Sequence, residues 1–375
     1  MTVDVAPQPP APEPDQTTAG QRRATRRVVR IGPSSWVIRP RMLTVGFVGA
    51  AITVLLFLLS VGVSDYPMGP FDVARVLLGG GTRIENVVVF DVSLPRALVS
   101  LLVGFGFGMA GALTQRIARN PLATPDILGI TAGASAAAVA AIAFSTSWGA
   151  WLAGLGIPTA ALLGGFATAI AMYILAWPGR RANSGIDPFR LVIIGVGVTW
   201  MLQALTSYML TRAQIADAAR AQTWLVGSVS QATWTDVWPS LIAVAVGVTM
   251  VLGLSRPIGV LGLGPEIARG LGVNAGRVTA VVLLVAVFVT ALCVSAAGPI
   301  AFVALLAPQI ALRLTGSSQP TPLASGLIGA MLVLGGDLLC RTVLPGNLPV
   351  GIVTAAIGGP FLIYLMITMS RKATV

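Results

Sequence analysis

The chain has 375 residues, of which 55% are hydrophobic and only 10% charged, and its formal net charge is +11. Soluble domains carry about 25% charged residues, so this composition excludes an ordinary water-soluble fold and predicts a polytopic membrane protein. Histidine is absent, which excludes His-based acid–base chemistry and His-ligated metals or haem. The single lysine, Lys372, cannot belong to a P-loop. Cys293 and Cys340 both lie in apolar runs, which favours buried packing over metal binding.

The first 41 residues precede the first apolar run. Residues 1–20 are rich in Pro, Ala, Thr and acidic residues without apolar periodicity, which is typical of disorder. Seven arginines follow between residues 22 and 41. Such a cluster can bind nucleic acid, but beside a membrane segment it more often retains a terminus in the cytoplasm. We therefore predict that residues 1–41 are a disordered, basic cytoplasmic tail that does not bind nucleic acid.

Ten apolar runs follow the tail, and they predict an all-α membrane domain over residues 42–370 with about ten transmembrane helices. The runs cover residues 42–63, 94–115, 126–147, 150–176, 190–211, 237–255, 277–296, 299–313, 323–343 and 350–369. The eighth is short and is interrupted by Pro299 and Pro308, so its boundaries are the least regular.

The distribution of basic residues predicts the orientation of these runs. If the N-terminus lies inside and the runs alternate, inside segments hold 18 of the 24 Lys and Arg residues and outside segments hold six. The positive-inside rule then predicts that both termini, including residues 371–375, lie in the cytoplasm.

The longest inside loop between runs, residues 256–277, contains a predicted short helix. Pro265 suits the first helical position, Glu266 suits the positive end of the helix dipole, and Gly270 and Gly272 can end the helix. This amphipathic helix is predicted to lie along the inner face, either as a simple connection or as a contact element for a cytoplasmic motor.

Two arginines lie at predicted outer ends of runs. Arg96 begins the second run and, because arginine beside lipid must reach water or a partner, it is either an interfacial anchor or a docking charge for an extracytoplasmic protein. Arg341 follows Asp337 by four residues, so the two can pair on one helix face. That pair has either a structural or a functional role.

Five segments, in this order, resemble the FecCD family of ABC importer permeases. The family pattern contains R-L-P-R, R-N-P-L-A-x-P-x-x-L-G, W-x-x-G-S, L-G-x-x-x-A-x-x-L-G and an ending with P-H-x-x-R, A-D-x-x-A-R and L-P-V-G-x-x-T-x-x-x-G-x-P-x-F. The matching segments are Leu94–Arg96, Arg119–Gly129, Trp224–Ser228, Leu263–Gly272 and Leu348–Phe361. Ser93, Gln309 and Gly336 depart from the pattern, where the family has arginine, histidine and alanine. The basic leader and the segments 64–67 and 207–213 look most like the ferric-enterobactin branch.

The resemblance implies a BtuC-like type II importer permease fold and transport of a ferric siderophore, with cobalamin or haem as the alternative substrates. An ion-coupled secondary transporter is the competing class, and it would place ionisable residues at mid-membrane. The resemblance also implies that this chain binds no cofactor and is not itself the ATPase. Its implied partners are a second permease subunit, two cytoplasmic ATPase subunits and an extracytoplasmic substrate-binding (lipo)protein.

The resemblance assigns two sites and no catalytic or metal-binding residue. ATPase coupling is assigned to Gly264, Pro265, Glu266, Ala268, Arg269, Gly270, Leu271 and Gly272. Docking of the binding protein is assigned to Arg96 and Arg341, with Ser93 reducing the family's set of docking arginines. The translocation pathway is expected at the interface between the two permeases.

Overall fold

The structure, a computed structural model, describes residues 27–31, 34–38, 40–64, 66–144, 150–176, 188–344 and 348–373. Nearly all of these residues are helical. The α-helices are α1 (Pro40–Gly62), α2 (Pro70–Arg75), α3 (Arg83–Val87), α4 (Leu94–Ala118), α5 (Ile130–Phe144), α6 (Ala150–Ala176), α7 (Pro188–Arg212), α8 (Ile215–Val226), α9 (Trp234–Gly253), α10 (Ser255–Leu261), α11 (Pro265–Gly270), α12 (Ala275–Ala297), α13 (Val303–Thr315), α14 (Pro322–Thr342) and α15 (Val350–Ala373). π-Helical segments follow α2 and join α3 to α4, and a short 3₁₀ helix, Pro125–Leu128, precedes α5.

The ten predicted runs all correspond to helices. Within the described residues, eight helical segments are long and apolar enough to cross a membrane, and α5 and α13 are apolar but have only 15 and 13 residues. With a rise of 1.5 Å per residue, these two helices span about 20 Å, less than the roughly 30 Å hydrocarbon core. The non-helical segments before them, 119–124 and 298–302, must therefore enter the membrane region, which is tolerated where protein covers the backbone.

Helices α4, α12 and α14 form the centre of the molecule. In the most apolar part of α12, 67% of the residues are buried, compared with 11% in α1. α4 packs against α14, α12, α13 and α9. The contact between α4 and α14 requires glycine, because a Cβ atom on Gly104 would lie 2.5 Å from the carbonyl oxygen of Gly329. Small residues let helix backbones approach closely in a membrane.

Alternating spans divide the connections between two faces. The face that carries α2, α3 and α8 is called the α8 face here, and the face that carries α10 and α11 is called the α11 face. Under the predicted orientation the α11 face is cytoplasmic.

The N-terminal segment differs in part from the prediction of a disordered tail. Strands β1 (Arg27–Ile31) and β2 (Ser34–Ile38) pair antiparallel, with Arg27 opposite Ile38. The strands are rich in Val and Ile, which favour extended structure, whereas the prediction weighed only the arginines. Residues 1–26, 32–33, 39 and 374–375 of the two predicted tails lie outside the described residues. Helix α1 begins at Pro40, two residues before the predicted boundary.

Candidate transport site

The predicted coupling segment contains α10 and α11. α11 begins at Pro265 and ends at Gly270, so the short helix predicted from these residues is present. Gly264 precedes it with a φ of +125°, a backbone conformation that side chains other than glycine rarely adopt. Glu266 and Arg269 form an exposed salt bridge of 3.1 Å between Oε1 and Nη1.

One face of the α11 segment is buried and the other carries apolar side chains toward solvent. Ala268 is fully buried against the apolar cluster that links α10 to α12. Leu263, Ile267 and Leu271 are each more than half exposed. A Cβ atom on Gly270 would meet no atom within 4 Å. The segment therefore offers an apolar surface that the described part of the chain leaves uncovered, while Gly272 turns the chain away with a φ of +78°.

Two arginines at the end of α4 connect this segment to the membrane core. Arg116 donates from Nη2 to the carbonyl oxygen of Ile258 at 3.3 Å. Arg119 donates from Nη2 to the carbonyl oxygen of Leu261 at 3.0 Å. Both acceptors lie in α10, whose last carbonyls lack partners within the helix. The R-N-P motif, interpreted from the sequence as a charged loop, thus holds α10 against α4.

The two predicted docking arginines meet at one buried carboxylate near the α8 face. Arg96 pairs with Asp337 through Nη2 and Oδ1 at 2.7 Å, and Arg341 pairs with it through Nη2 and Oδ2 at 2.7 Å. The Asp337 side chain is 2% exposed, and those of Arg96 and Arg341 are 18% and 10% exposed. The pair between Asp337 and Arg341 follows the predicted four-residue spacing, whereas the pair with Arg96 was not predicted.

Arg341 also binds the end of α1. Its guanidinium donates to the carbonyl oxygen of Val63 at 2.6 Å and to the carbonyl and hydroxyl oxygens of Ser60 at 3.1 and 2.8 Å. The arginine cluster, defined as Arg96, Asp337 and Arg341, therefore joins α1, α4 and α14. Because both guanidinium groups already have partners within the chain, their docking role stays a prediction.

The structure shows the surroundings of the three residues that depart from the family pattern. Ser93 is buried. A Cβ atom on Gly336 would lie 3.0 Å from Cγ2 of Val350, so glycine gives room to the start of α15. Gln309 is buried and donates from Nε2 to Oε1 of Gln115 at 2.7 Å, which links α13 to α4.

A cavity of about 440 Å³ lies among α4, α8, α12 and α15. Phe107, at its inner end, lies in the middle of α4, whereas Val226 and Gly351 lie at the α8-face ends of their helices. The cavity therefore reaches from the α8 face to the middle depth of the membrane. It is lined by Phe107, Asp126, Thr131, Leu225, Val226, Val294, Pro299, Ile300, Ala301, Gly351, Ile352 and Ala355.

The W-x-x-G-S motif forms the wall of this cavity. Gly227 ends α8 with a φ of +82°, and its carbonyl oxygen accepts a hydrogen bond of 3.1 Å from the backbone N–H of Gly351. The N–H of Ser228 donates to the carbonyl oxygen of Ala297 at 2.9 Å. The W-x-x-G-S motif, the end of α12 and the start of α15 are thus hydrogen-bonded to one another beside the cavity.

The cavity was the feature that sequence reasoning missed. Arg119–Gly129 was interpreted as an inside loop because a sequence gives no depth for a turn between two spans. The available signal was the pair Pro121 and Pro125, which prevent a continuous helix between α4 and α5.

Comparison with known proteins identifies the fold and the family. The model of the FecCD transport family matches residues 52–368. The chain belongs to the FecCD transport family. The iron(3+)-hydroxamate import system permease protein FhuG of Bacillus subtilis is 37% identical over 320 residues, covering 84% of this chain and 94% of the relative. The ferric enterobactin transport system permease protein FepG of Escherichia coli is 38% identical over 303 residues, covering 80% and 88%.

A solved structure supports the same assignment. It is described as an inward-facing conformation of a metal-chelate type ABC transporter, and it matches with a TM-score of 0.73 and 25% sequence identity over 87% of this chain and 99% of that chain. The predicted all-α, BtuC-like permease fold is confirmed, and this FecCD family member is a multi-pass membrane protein.

Proposed function

We propose that this chain is the membrane permease subunit of an ABC importer that moves a ferric siderophore across the cytoplasmic membrane. The observation that carries this proposal is the identity of 37–38% with iron-hydroxamate and ferric-enterobactin permeases along at least 80% of the chain. The family motifs that form the cavity wall support a role in translocation. Both named relatives carry iron chelates, which favours a ferric siderophore over cobalamin or haem.

The proposed partners follow from the two faces. The exposed apolar side chains of the α11 segment suit a contact with a cytoplasmic ATPase subunit, of which the assembly would contain two. The α8 face, where the cavity begins, suits docking of an extracytoplasmic substrate-binding protein. A second permease subunit would complete the assembly, as the resemblance to the family implies.

The bonds between α4 and α10 suggest how ATP hydrolysis reaches the pathway. A partner that displaced α11 would move α10, since the two are joined by only three residues. α10 is hydrogen-bonded to Arg116 and Arg119, and Arg119 begins the segment that leads to Asp126 at the cavity. Motion of the coupling helix would thus be transmitted to the inner end of the cavity.

Uptake in a deletion strain tests the proposed function. Cells that carry this chain with its ATPase and binding protein should accumulate ⁵⁵Fe from a ferric siderophore, and cells without the chain should not. A catalytically inactive variant of the ATPase is the control for energy coupling. Uptake that persists with the inactive ATPase but stops when the proton gradient is dissipated would instead indicate an ion-coupled transporter. Uptake of cobalamin or haem, without iron uptake, would reassign the substrate.

A further inference from the structure

The basic segment, defined as residues 22–41, carries seven arginines and no acidic residue. No acidic residue occurs anywhere between Asp15 and Asp65. The model of the FecCD family begins only at residue 52, so the basic segment is additional to the part of the chain that the family shares. The transport fold therefore does not account for this charge, and the neighbouring sequence supplies no carboxylate to neutralise it.

The fold places the basic segment at the inner end of α1. Strand β2 ends at Ile38 and α1 begins at Pro40, so a single residue joins them. Two steps along the backbone span less than about 8 Å. Helix α1 has 23 residues and is about 35 Å long, slightly more than the hydrocarbon core of a bilayer. The paired strands β1 and β2 therefore join the membrane span at the depth of the lipid headgroups.

Arg41 ties this end of α1 to the α11 face. Its guanidinium donates from Nε to the carbonyl oxygen of Leu314 at 2.8 Å and from Nη2 to that of Arg313 at 2.9 Å, at the end of α13. The connection after α13 reaches the end of α10, where Gln319 donates from Nε2 to the carbonyl oxygen of Gly262 at 3.4 Å. Arg41 and Arg313 are exposed, and neither belongs to the salt bridges found among the described residues. Two exposed arginines without a carboxylate partner in that part of the chain thus meet where the basic segment joins the membrane span.

The surface next to these arginines is apolar, as a lipid-facing surface should be. Met42, Leu43 and Phe47, near the start of α1, are all exposed. A basic cluster directly beside a membrane span attracts the anionic headgroups of the cytoplasmic leaflet, and each basic residue close to the surface raises the affinity by about fivefold. Charge, depth and neighbouring surface therefore all favour a lipid partner.

We propose that the basic segment binds anionic lipid headgroups of the cytoplasmic leaflet beside the end of α13. The inference goes beyond the proposed function and does not depend on which substrate the importer carries. It requires that the α11 face be cytoplasmic, as the distribution of basic residues predicts. The attraction is electrostatic, so added salt should weaken it.

Native mass spectrometry of the full chain tests the proposal. The chain is released from micelles that contain equal amounts of dioleoyl phosphatidylglycerol and dioleoyl phosphatidylcholine, and the ratio of the two bound lipids is measured. The wild type should prefer phosphatidylglycerol, and a five-Lys variant should keep that preference. A five-Gln variant should lose at least about tenfold of it. The five-Gln variant carries Arg22→Gln, Arg23→Gln, Arg26→Gln, Arg27→Gln and Arg30→Gln, and the five-Lys variant carries lysine at the same positions.

A smaller substitution keeps the test decisive if the five-Gln variant does not insert correctly. Arg27→Gln with Arg30→Gln removes the two charges of β1 and should lower the ratio about fivefold or more. Arg212→Gln with Arg220→Gln, which removes two exposed arginines from the α8 face, is the matched control and should leave the ratio unchanged. Green fluorescent protein fused after Val375 reports whether each variant keeps the C-terminus in the cytoplasm.

Three results would overturn the inference. The first is an equal lipid ratio in the wild type and in the correctly inserted Gln variants. The second is loss of the wild-type preference when inorganic phosphate is added at constant ionic strength, which would indicate a site for free anions. The third is an unchanged lipid ratio together with lost stimulation of the ATPase, which would assign the basic segment to the ATPase contact. All three would leave the proposed function intact.

Discussion

At the scale of single residues, the arginine cluster places two cations around one buried carboxylate. Two guanidinium groups share one carboxylate that is 2% exposed, and Arg341 gains further acceptors at the end of α1. Removing one member of a buried ion pair is costly because the remaining charge keeps its desolvation penalty without its partner. Loss of one member should therefore disturb the packing of α1, α4 and α14, whether or not the cluster also contacts a partner.

Asp337→Asn should destabilise the chain. The substitution leaves two buried cations without their counter-ion, and the expected loss is about 3–5 kcal/mol in the free energy of unfolding. Thermal unfolding of the detergent-solubilised protein measures it. Asp91→Asn, which alters an exposed carboxylate, is the control and should change stability by less than about 1 kcal/mol. Equal stability of the two variants would contradict the structural role of the cluster.

Docking by Arg96 is a separate prediction. Arg96→Gln removes one charge while Asp337 keeps Arg341 as its partner, so the fold should survive. The affinity for the binding protein should fall by about 2–5-fold at low ionic strength and by less at high salt, because salt screens partly exposed pairs. Arg75→Gln, on the same face, is the control for loss of any arginine. Unchanged affinity at low ionic strength would leave Arg96 with only its structural role.

The residue scale also marks the limit of sequence reasoning. The Asp337–Arg341 pair was predictable because four residues in a helix bring two side chains to one face. Arg96 lies 241 residues from Asp337, and Gln115 lies 194 residues from Gln309. Those contacts exist only because α4 packs against α13 and α14. No local sequence pattern predicts that packing. Asp126 was overlooked for the same reason, since its depth depends on the helices around it.

At the scale of elements, sequence signals predicted the positions of helices well where a residue such as proline restricts the backbone conformation or where an apolar run is continuous. Pro265 predicted the start of α11 because proline suits the first helical position, and continuous apolar runs predicted the spans. Short helices without such signals were missed, including α2, α3 and α8. α8 matters most among them, because its end at Gly227 builds the cavity wall. Its amphipathic 12 residues are too short and too polar to be found as a membrane span.

The α11 segment should act through contact with a partner rather than through folding. Gly270→Trp and Glu266→Lys alter exposed positions, so insertion and thermal stability should stay within about 0.5 kcal/mol of wild type. Stimulation of the ATPase by the permease should fall at least severalfold, measured with both subunits in nanodiscs. Gly46→Trp on α1, where a side chain also meets open space, is the control. Full ATPase stimulation in both α11 variants would remove this segment from the coupling interface.

At the scale of the whole molecule, the two proposed sites lie on opposite faces, which is what an importer requires. The α8 face carries the arginine cluster and the cavity, and the α11 face carries the proposed ATPase contact. Between them runs a continuous route of packed and hydrogen-bonded elements through α10, the end of α4 and the segment that holds Asp126. With ten predicted spans, both termini lie on the same side of the membrane. The side on which they lie therefore determines which of the two faces is cytoplasmic.

The orientation itself is therefore the most informative prediction about the whole chain. Of 24 basic residues, 18 fall on the side that includes the α11 face, and this excess predicts that the face is cytoplasmic. Alkaline phosphatase, which is active only outside the cytoplasm, should be inactive when fused after Val375 and active when inserted between α14 and α15. Green fluorescent protein at the same two positions should give the reverse pattern. An active phosphatase at the C-terminus would place α11 away from ATP, and the coupling role of that helix would then be untenable.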